Sequence, residues 1–404
     1  MDGSNRILQD LVEDRSALLL AWYLTEKRDL PWRKTKDPYA IWVSEVMLQQ
    51  TQVKTVIPYY ERFIERFPGI GQLGTASLEE VLLVWRGLGY YSRARRMWEG
   101  AHYLLEQRGG KMPNDYESLL RVPGIGKYTA GAIASIAFGQ RVAAVDGNVL
   151  RVVARLLAWS EPIETARSYR HFNDRLLVWQ PAHRPGDFNQ ALMELGAMVC
   201  KPTNPDCASC PLSQVCEGHL QGEVQRYPVK KLKAKRQSVT RLTFVLRRGD
   251  RVFLQRRPPV GLLADLWEFP GVELNQEDGL DNSLPVVTDS EWLELLQTAV
   301  PELGVDGPGR AQFEPDFRLH GPVWHTFSHR RWKICWVIVD LPESLALIPA
   351  GVSLLREAVG EYRWEARGGQ QGDNRCWVAL PDLSEIPLPV AFQAIVEDLQ
   401  LFTG

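Results

Sequence analysis

Four of the chain's six cysteines, Cys200, Cys207, Cys210 and Cys216, fall within 17 residues in the spacing C-x6-C-x2-C-x5-C. A knot this dense constrains the fold more than any other feature of the sequence. In a reducing compartment thiols stay free, so the cluster reads as a metal site rather than as disulfides. Thiolates hold zinc and a [4Fe–4S] cluster equally well on chemical grounds, and spacing alone leaves both open. Four protein ligands leave no open coordination position, so the metal is expected to be architectural. Cys335 and Cys376 sit singly in apolar, β-type sequence and are expected in the core.

The reducing compartment is itself an expectation. Met1 to Asp14 is polar and acidic, without the basic stretch and apolar run of a leader. Apolar runs such as Leu18 to Leu24 fall far short of the roughly 18 residues a membrane span needs. A cytoplasmic protein without membrane contact is expected.

At 404 residues the chain exceeds what one hydrophobic core organises, so two or three domains are expected. Residues 1–222 read all-α, with amphipathic stretches such as Ser44 to Phe67 and Ser77 to Arg108 punctuated by Pro68, Gly69, Gly109 and Pro113. Residues 239–404 read α+β: short β-rich runs, Leu242 to Leu246, Val252 to Leu254 and Lys333 to Val339, alternate with helical pieces such as Ser290 to Val300. Residues 223–238 are polar and basic and read as the linker. A net charge of -2 lacks the overall basic balance that marks many nucleic-acid proteins, so any such contact must be local. Arg226 to Arg257 holds 12 Lys or Arg against the single acid Asp250, which suits either a solvated linker or a local anionic partner.

Three segments carry chemistry. Leu119 to Ala134 reads as helix, tight turn and helix, with Gly124 and Gly126 able to bring backbone amides close to a phosphate at a helix N-terminus. An ordinary αα turn has the same pattern. Asp146, in Ala144-Val-Asp-Gly-Asn-Val, stands at a helix start, where it can serve as a cap, as a functional carboxylate, or as both. Glu45 is flanked by Val43, Val46, Met47 and Leu48. If that helix is buried, its carboxyl pKa should rise and keep it a proton donor; otherwise it is a surface glutamate.

From about Leu30 to Cys216 these segments resemble the endonuclease III superfamily of helix-hairpin-helix glycosylases. Leu30-Pro-Trp-Arg, Ser44-Glu-Val-Met-Leu-Gln-Gln-Thr-Gln-Val, Gly87-Leu-Gly-Tyr-Tyr-Ser-Arg-Ala-Arg, Val145-Asp-Gly-Asn-Val and Asn189-Gln-Ala-Leu-Met-Glu-Leu-Gly-Ala are similar to its MutY-type adenine glycosylases. The resemblance implies a six-helix subdomain holding the hairpin and a second one holding a [4Fe–4S] cluster. It implies a monomer, nucleoid-associated if bacterial, that acts on double-stranded DNA carrying adenine opposite 8-oxoguanine or guanine. It further implies that Glu45 protonates adenine N7, that Asp146 stabilises or captures the oxocarbenium ion, and that Tyr128 and Asn148 position groups at the sugar. Arg28 and Trp32 would line the adenine pocket with Glu45, and Gln50, Thr51, Leu88 and Tyr90 would occupy the duplex gap. Two carboxyl groups with pKa values pushed apart are the physical requirement. Bifunctional relatives place a lysine where Tyr128 stands, so base removal without efficient strand cleavage is expected. Lys127 is adjacent but lies about 100° round the helix.

In the second half, Arg241 to Leu246, Val252 to Arg257 and Gly261-Leu-Leu-Ala-Asp-Leu-Trp-Glu-Phe-Pro-Gly resemble the Nudix-related domain of the same family. The Nudix box R-E-x-x-E-E is not found in Gly271 to Gly304, so binding rather than hydrolysis is expected. His325-Thr-Phe-Ser-His-Arg-Arg resembles the loop by which the family recognises 8-oxoguanine, here Phe327, Ser328 and His329. Taken alone, the segment reads as a strand-end loop with a satisfied histidine.

Overall fold

Asp37 accepts hydrogen bonds from the amides of Tyr39 and Ala40, and Pro38 takes the first helical position. This start launches the central helix of the first unit. The computed structural model describes residues 3–231, 236–274, 284–285, 287–303, 317–327, 329–342 and 374–401. The chain divides into two compact units, Met1–Lys233 and Ala234–Gly404. No described helix is long and apolar enough to cross a membrane.

The first unit is helical. Its elements are α1 (Gly3–Glu26), α2 (Pro38–Leu48), α3 (Val53–Arg66), α4 (Ile70–Thr75), α5 (Leu78–Trp85), α6 (Ser92–Arg108), α7 (Tyr116–Leu119), α8 (Lys127–Ile136), α9 (Gly147–Leu156), α10 (Ala166–Trp179), α11 (Pro185–Met198) and α12 (Glu217–Leu220). The two amphipathic stretches each divide between two helices. Ser44 to Phe67 turns between α2 and α3, where Gln50 takes φ 58°. Ser77 to Arg108 turns between α5 and α6, where Gly87, Gly89 and Tyr90 have positive φ.

Every residue of α2 from Tyr39 to Met47 is buried. A second core gathers Leu19 and Tyr23 of α1, Val149 and Val152 of α9, and Phe172 and Leu176 of α10. It continues through Phe188 and Leu195 of α11 to Leu212 and Cys216. The cysteine segment and the helix that follows Asp146 therefore share one hydrophobic core. Close backbone approaches fix the hairpin. A Cβ on Gly124 (φ +80°) would lie 2.7 Å from the Arg96 carbonyl, and one on Gly131 would lie 2.5 Å from that of Ala143. The absent side chain at Gly131 lets α8 pack onto the segment that leads into Asp146.

The expected linker is docked at its start. Tyr227 is buried, the Val224 and Tyr227 carbonyls accept from Arg155 Nε, and the Val229 carbonyl accepts from the Ile163 amide. A buried arginine needs acceptors, and this segment supplies them. Residues 232–235 lie outside the described residues.

The second unit contains β1 (Gln237–Arg248), β2 (Arg251–Arg256), β3 (Trp267–Glu268), β4 (Gly271–Leu274), α13 (Asp289–Ala299), β5 (Leu319–Thr326), β6 (Arg330–Asp340), β7 (Arg375–Ala379) and α14 (Gln393–Leu401). The sheet order is β3-β2-β1-β6-β5, with β4 paired to β1 and β7 to β2. β1 and β6 are parallel, Leu242 opposite Cys335. Alternate residues serve opposite faces. Val245, Leu254 and Trp332 pack with Ile395 of α14, while Phe244, Leu246 and Cys335 pack with Leu296 of α13. Cys335 and Cys376 are both buried, as expected.

Candidate active site

Burial of α2 decides the state of Glu45. Its carboxyl is 6% exposed, and desolvation pushes its pKa up to about 7, with the charge of Asp146 adding to the rise. The Tyr128 hydroxyl, which donates to Glu45 Oε2, and the charge of Arg33 pull it partly back. Tyr128 is itself pushed well above the ordinary phenol range by burial, so it remains a donor. The adjacent Lys127 is exposed and its Nζ lies 5.8 Å from the centre of the Tyr169 ring.

Asp146 is the N-cap of α9. Oδ1 accepts from the Val149 amide at 2.7 Å, and Oδ2 accepts from Asn148 Nδ2 at 2.9 Å. Its charge also raises the pKa of Glu45 and of Tyr128, so one carboxylate caps a helix and faces the buried acid. The two carboxyls share the direction of their shift. Burial raises both. They differ in hydrogen bonding: amide donors from Val149 and Asn148 and the nearby Arg151 charge oppose the rise at Asp146. Asn148 is held in turn. Its Oδ1 accepts from Arg151 Nη2 at 2.8 Å, and Arg151 also donates to the carbonyls of Cys200 and Gly196, each at 2.8 Å. Asn189, 1% exposed, fixes the preceding segment by donating to the Val142 carbonyl at 2.9 Å and accepting from the Ala144 amide at 3.2 Å.

Trp32 is buried and meets Tyr60 edge-on at 5.3 Å. Arg28, expected beside it in a base pocket, is held by Glu194: its Nε and Nη2 donate to that carboxylate at 2.9 and 2.6 Å. Arg33 donates to both oxygens of the same carboxylate at 2.8 Å. Sequence reasoning missed Arg33 as the cation that acts on Glu45. Its only signal was the last position of Leu30-Pro-Trp-Arg.

The residues expected at a duplex separate into two groups. Gln50 is exposed and Tyr90 is 45% exposed. Thr51 is half-buried and its hydroxyl accepts from Arg93. Leu88, by contrast, is 5% exposed and belongs to the core. Positive φ on either side, at Gly87 and Gly89, turns it inward. At the hairpin, Gly126 is the N-cap of α8, and a Cβ there would meet nothing within 4 Å. In the second unit, Phe327 is half-buried and meets His325 and Trp332 edge-on at 4.6 and 4.9 Å. His329 is exposed. Ser328 lies outside the described residues.

Known proteins share these parts. Residues 43–176 match the HhH-GPD superfamily of base excision DNA repair proteins, and residues 242–398 match the NUDIX domain. The chain is 38% identical over 396 residues to the adenine DNA glycosylase of Homo sapiens, covering 84% of this chain and 69% of that one. Against that of Mus musculus the identity is 43% over 402 residues, covering 86% and 73%. Against that of Buchnera aphidicola subsp. Baizongia pistaciae it is 34% over 343 residues, covering 81% and 92%.

The chain belongs to the adenine DNA glycosylase family. It is therefore a DNA-binding base excision repair enzyme that hydrolyses an N-glycosidic bond, built from a helix-hairpin-helix unit and a Nudix-like unit.

The glycosylase's four clustered cysteines line a single pocket with Val152, Arg155 and Leu195. Arg155, 1% exposed, donates to Cys200 Sγ at 3.3 Å and to the Lys201 carbonyl at 2.6 Å.

Glu194 carries a stability prediction. Two arginines hold its carboxyl down to about 2, against burial, which acts to raise it. A depressed carboxylate contributes stability that is complete above its unfolded pKa and is lost as pH falls through the folded one. That contribution should therefore disappear between the ordinary 4.5 and about 2. Glu194→Gln keeps one acceptor oxygen but leaves both arginines without their counter-charge, and is expected to cost about 3 kcal/mol at neutral pH. Urea denaturation of the two proteins at pH 7 measures the loss.

Proposed function

We propose that the enzyme excises adenine paired with 8-oxoguanine or guanine, with Glu45 as general acid and Asp146 as the carboxylate that meets the developing cation. The observation that carries this reading is a buried carboxyl raised to about 7, held by a tyrosine hydroxyl beside a second carboxylate. Flipping the base out of the duplex costs a few kcal/mol, about what unstacking requires. Glu45 then delivers its proton to adenine N7, and the C1′–N9 bond breaks with its electron pair leaving on the base. The deoxyribose becomes an oxocarbenium ion, which Asp146 stabilises or captures before water adds at C1′ and gives up a proton. Tyr128 and Asn148 fix the two carboxylates. The relatives' name supports adenine as the base, and the resemblance of Phe327-Ser328-His329 supports 8-oxoguanine as its partner. Tyr128 in the lyase-lysine position, with Lys127 over Tyr169, supports base removal without efficient strand cleavage.

The cysteine pocket fits a [4Fe–4S] cluster. The four thiols surround one pocket, a cluster takes one thiolate at each iron, and the cysteine spacing resembles that of the family's cluster. Cys200, Cys207, Cys210 and Cys216 would hold it. When bound, the group supplies a cross-link that ties the segment to the core shared with α9. The enzyme is read as a cytoplasmic monomer, nucleoid-associated in a bacterium.

A substrate panel tests the proposal. Duplexes with A:8-oxoguanine, A:G, A:C and oxidised pyrimidines are incubated with the enzyme and then treated with alkali. Breaks at adenine that need alkali, fastest opposite 8-oxoguanine, are expected. Preferred cutting at oxidised pyrimidines without alkali, or a borohydride-trapped lysine–DNA adduct in high yield, would overturn it.

A further inference from the structure

Arg93, the second residue of α6, is 9% exposed, and its side-chain hydrogen bonds among the described residues go to oxygens at the C-terminal end of α2, in the turn that follows it and in the turn before α6. Nη1 donates to the carbonyls of Val46, Met47 and Gln49 at 2.8, 2.8 and 2.6 Å. Nη2 donates to Thr51 Oγ1 and to the Gly89 carbonyl, each at 3.1 Å, and Nε donates to the Tyr90 carbonyl at 3.4 Å. The Trp85 and Tyr90 rings lie 5.3 and 5.4 Å from the guanidinium carbon. Burial pulls its pKa down to about 10.

A desolvated cation without a carboxylate is costly. Here the offset comes from the negative end of α2 and from the second turn together. Each turn holds a non-glycine residue in the left-handed region, Gln50 at φ 58° and Tyr90 at φ 50°. Such a conformation persists only where its surroundings over-determine it. One planar group with five N–H donors satisfies both turns, which a lysine with all its donors on one atom cannot do.

We infer that Arg93 is a positioning residue that locks the Gln49–Thr51 turn and the Gly89–Tyr90 turn into one rigid wedge, so that Gln50 and Tyr90 enter the duplex as a unit. This rests on the reading above, in which these two residues meet DNA. The wedge requires Gln50 and Tyr90 to be energetically coupled through Arg93, although neither side chain donates the bonds that join the turns.

The test is a double-mutant cycle in duplex affinity. The full-length, cluster-loaded enzyme and its Gln50→Ala, Tyr90→Ala and doubly substituted forms are titrated with a duplex holding a non-hydrolysable adenosine analogue opposite 8-oxoguanine. Each single change should weaken binding, and the double change should fall short of the product of the two by about tenfold. In an Arg93→Lys background that shortfall should shrink to about twofold or less. Fluorescence of 2-aminopurine beside the target should report slower flipping for Arg93→Lys, while the pH midpoint of excision, set by Glu45, stays in place. Multiplicative losses in the native background, or a shortfall that survives Arg93→Lys, would overturn the inference and leave the duplex reading intact. If neither single change alters affinity, the duplex reading fails and the inference fails with it. Should Arg93→Lys not fold, the cycle in the native background still decides.

Discussion

Glu45→Gln is expected to slow single-turnover excision of adenine by about 10³-fold, inside the range that positioned proton donors supply. The change is close to isosteric, and the new amide oxygen still accepts from the Tyr128 hydroxyl. Folding and duplex affinity should therefore change little, while the proton needed at the leaving base is gone. Single-turnover rates with enzyme in excess, set beside affinity for a non-hydrolysable duplex, separate the two effects. A rate loss of less than about tenfold would remove Glu45 from the role of acid.

Asp146→Asn should reduce the same rate by about 10²- to 10³-fold, the usual loss when an oriented electrostatic group is removed. Asparagine caps a helix about as well as aspartate, so the Val149 amide keeps its acceptor. The bond from Asn148 Nδ2 does not survive, because two amide nitrogens would then face each other. Stability should drop by about 1 kcal/mol, the net value of one hydrogen bond. Asp146→Ala loses the cap as well and should cost about 1 kcal/mol more. Thermal or urea unfolding of the three proteins, run beside excision assays, separates the capping role from the charge. Catalytic loss that merely tracks stability would reduce Asp146 to a cap.

How far the sequence disclosed these sites depended on whether their causes are local. Glu45 was legible because its neighbours Val43, Val46 and Met47 forecast a buried helix, and burial alone raises a carboxyl. The capping role of Asp146 was legible for the same reason, since a cap depends on a few consecutive residues. The network at Glu194 was not, because it joins residues 161 and 166 positions apart. It ties Arg28 to Arg33 through one carboxylate and sets Arg33 near the acid. Leu88 and Tyr90 lie in one motif yet end on opposite sides of the surface, and the backbone torsions that divide them leave no hydrophobic signature. Arg93 carries no signal beyond that motif, because nearly all its partners are backbone carbonyls, with the Thr51 hydroxyl besides, and no side-chain pattern reveals them.

The most direct test of the central claim is the pH dependence of single-turnover excision from an A:8-oxoguanine duplex. Glu45 acts in its protonated form, and its carboxyl is raised to about 7. Above pH 7 the rate should fall, by about fivefold to pH 8 and about tenfold more to pH 9, and this limb should be missing from the residual activity of Glu45→Gln. A rate that stays level or climbs across that interval in the native enzyme would contradict the account.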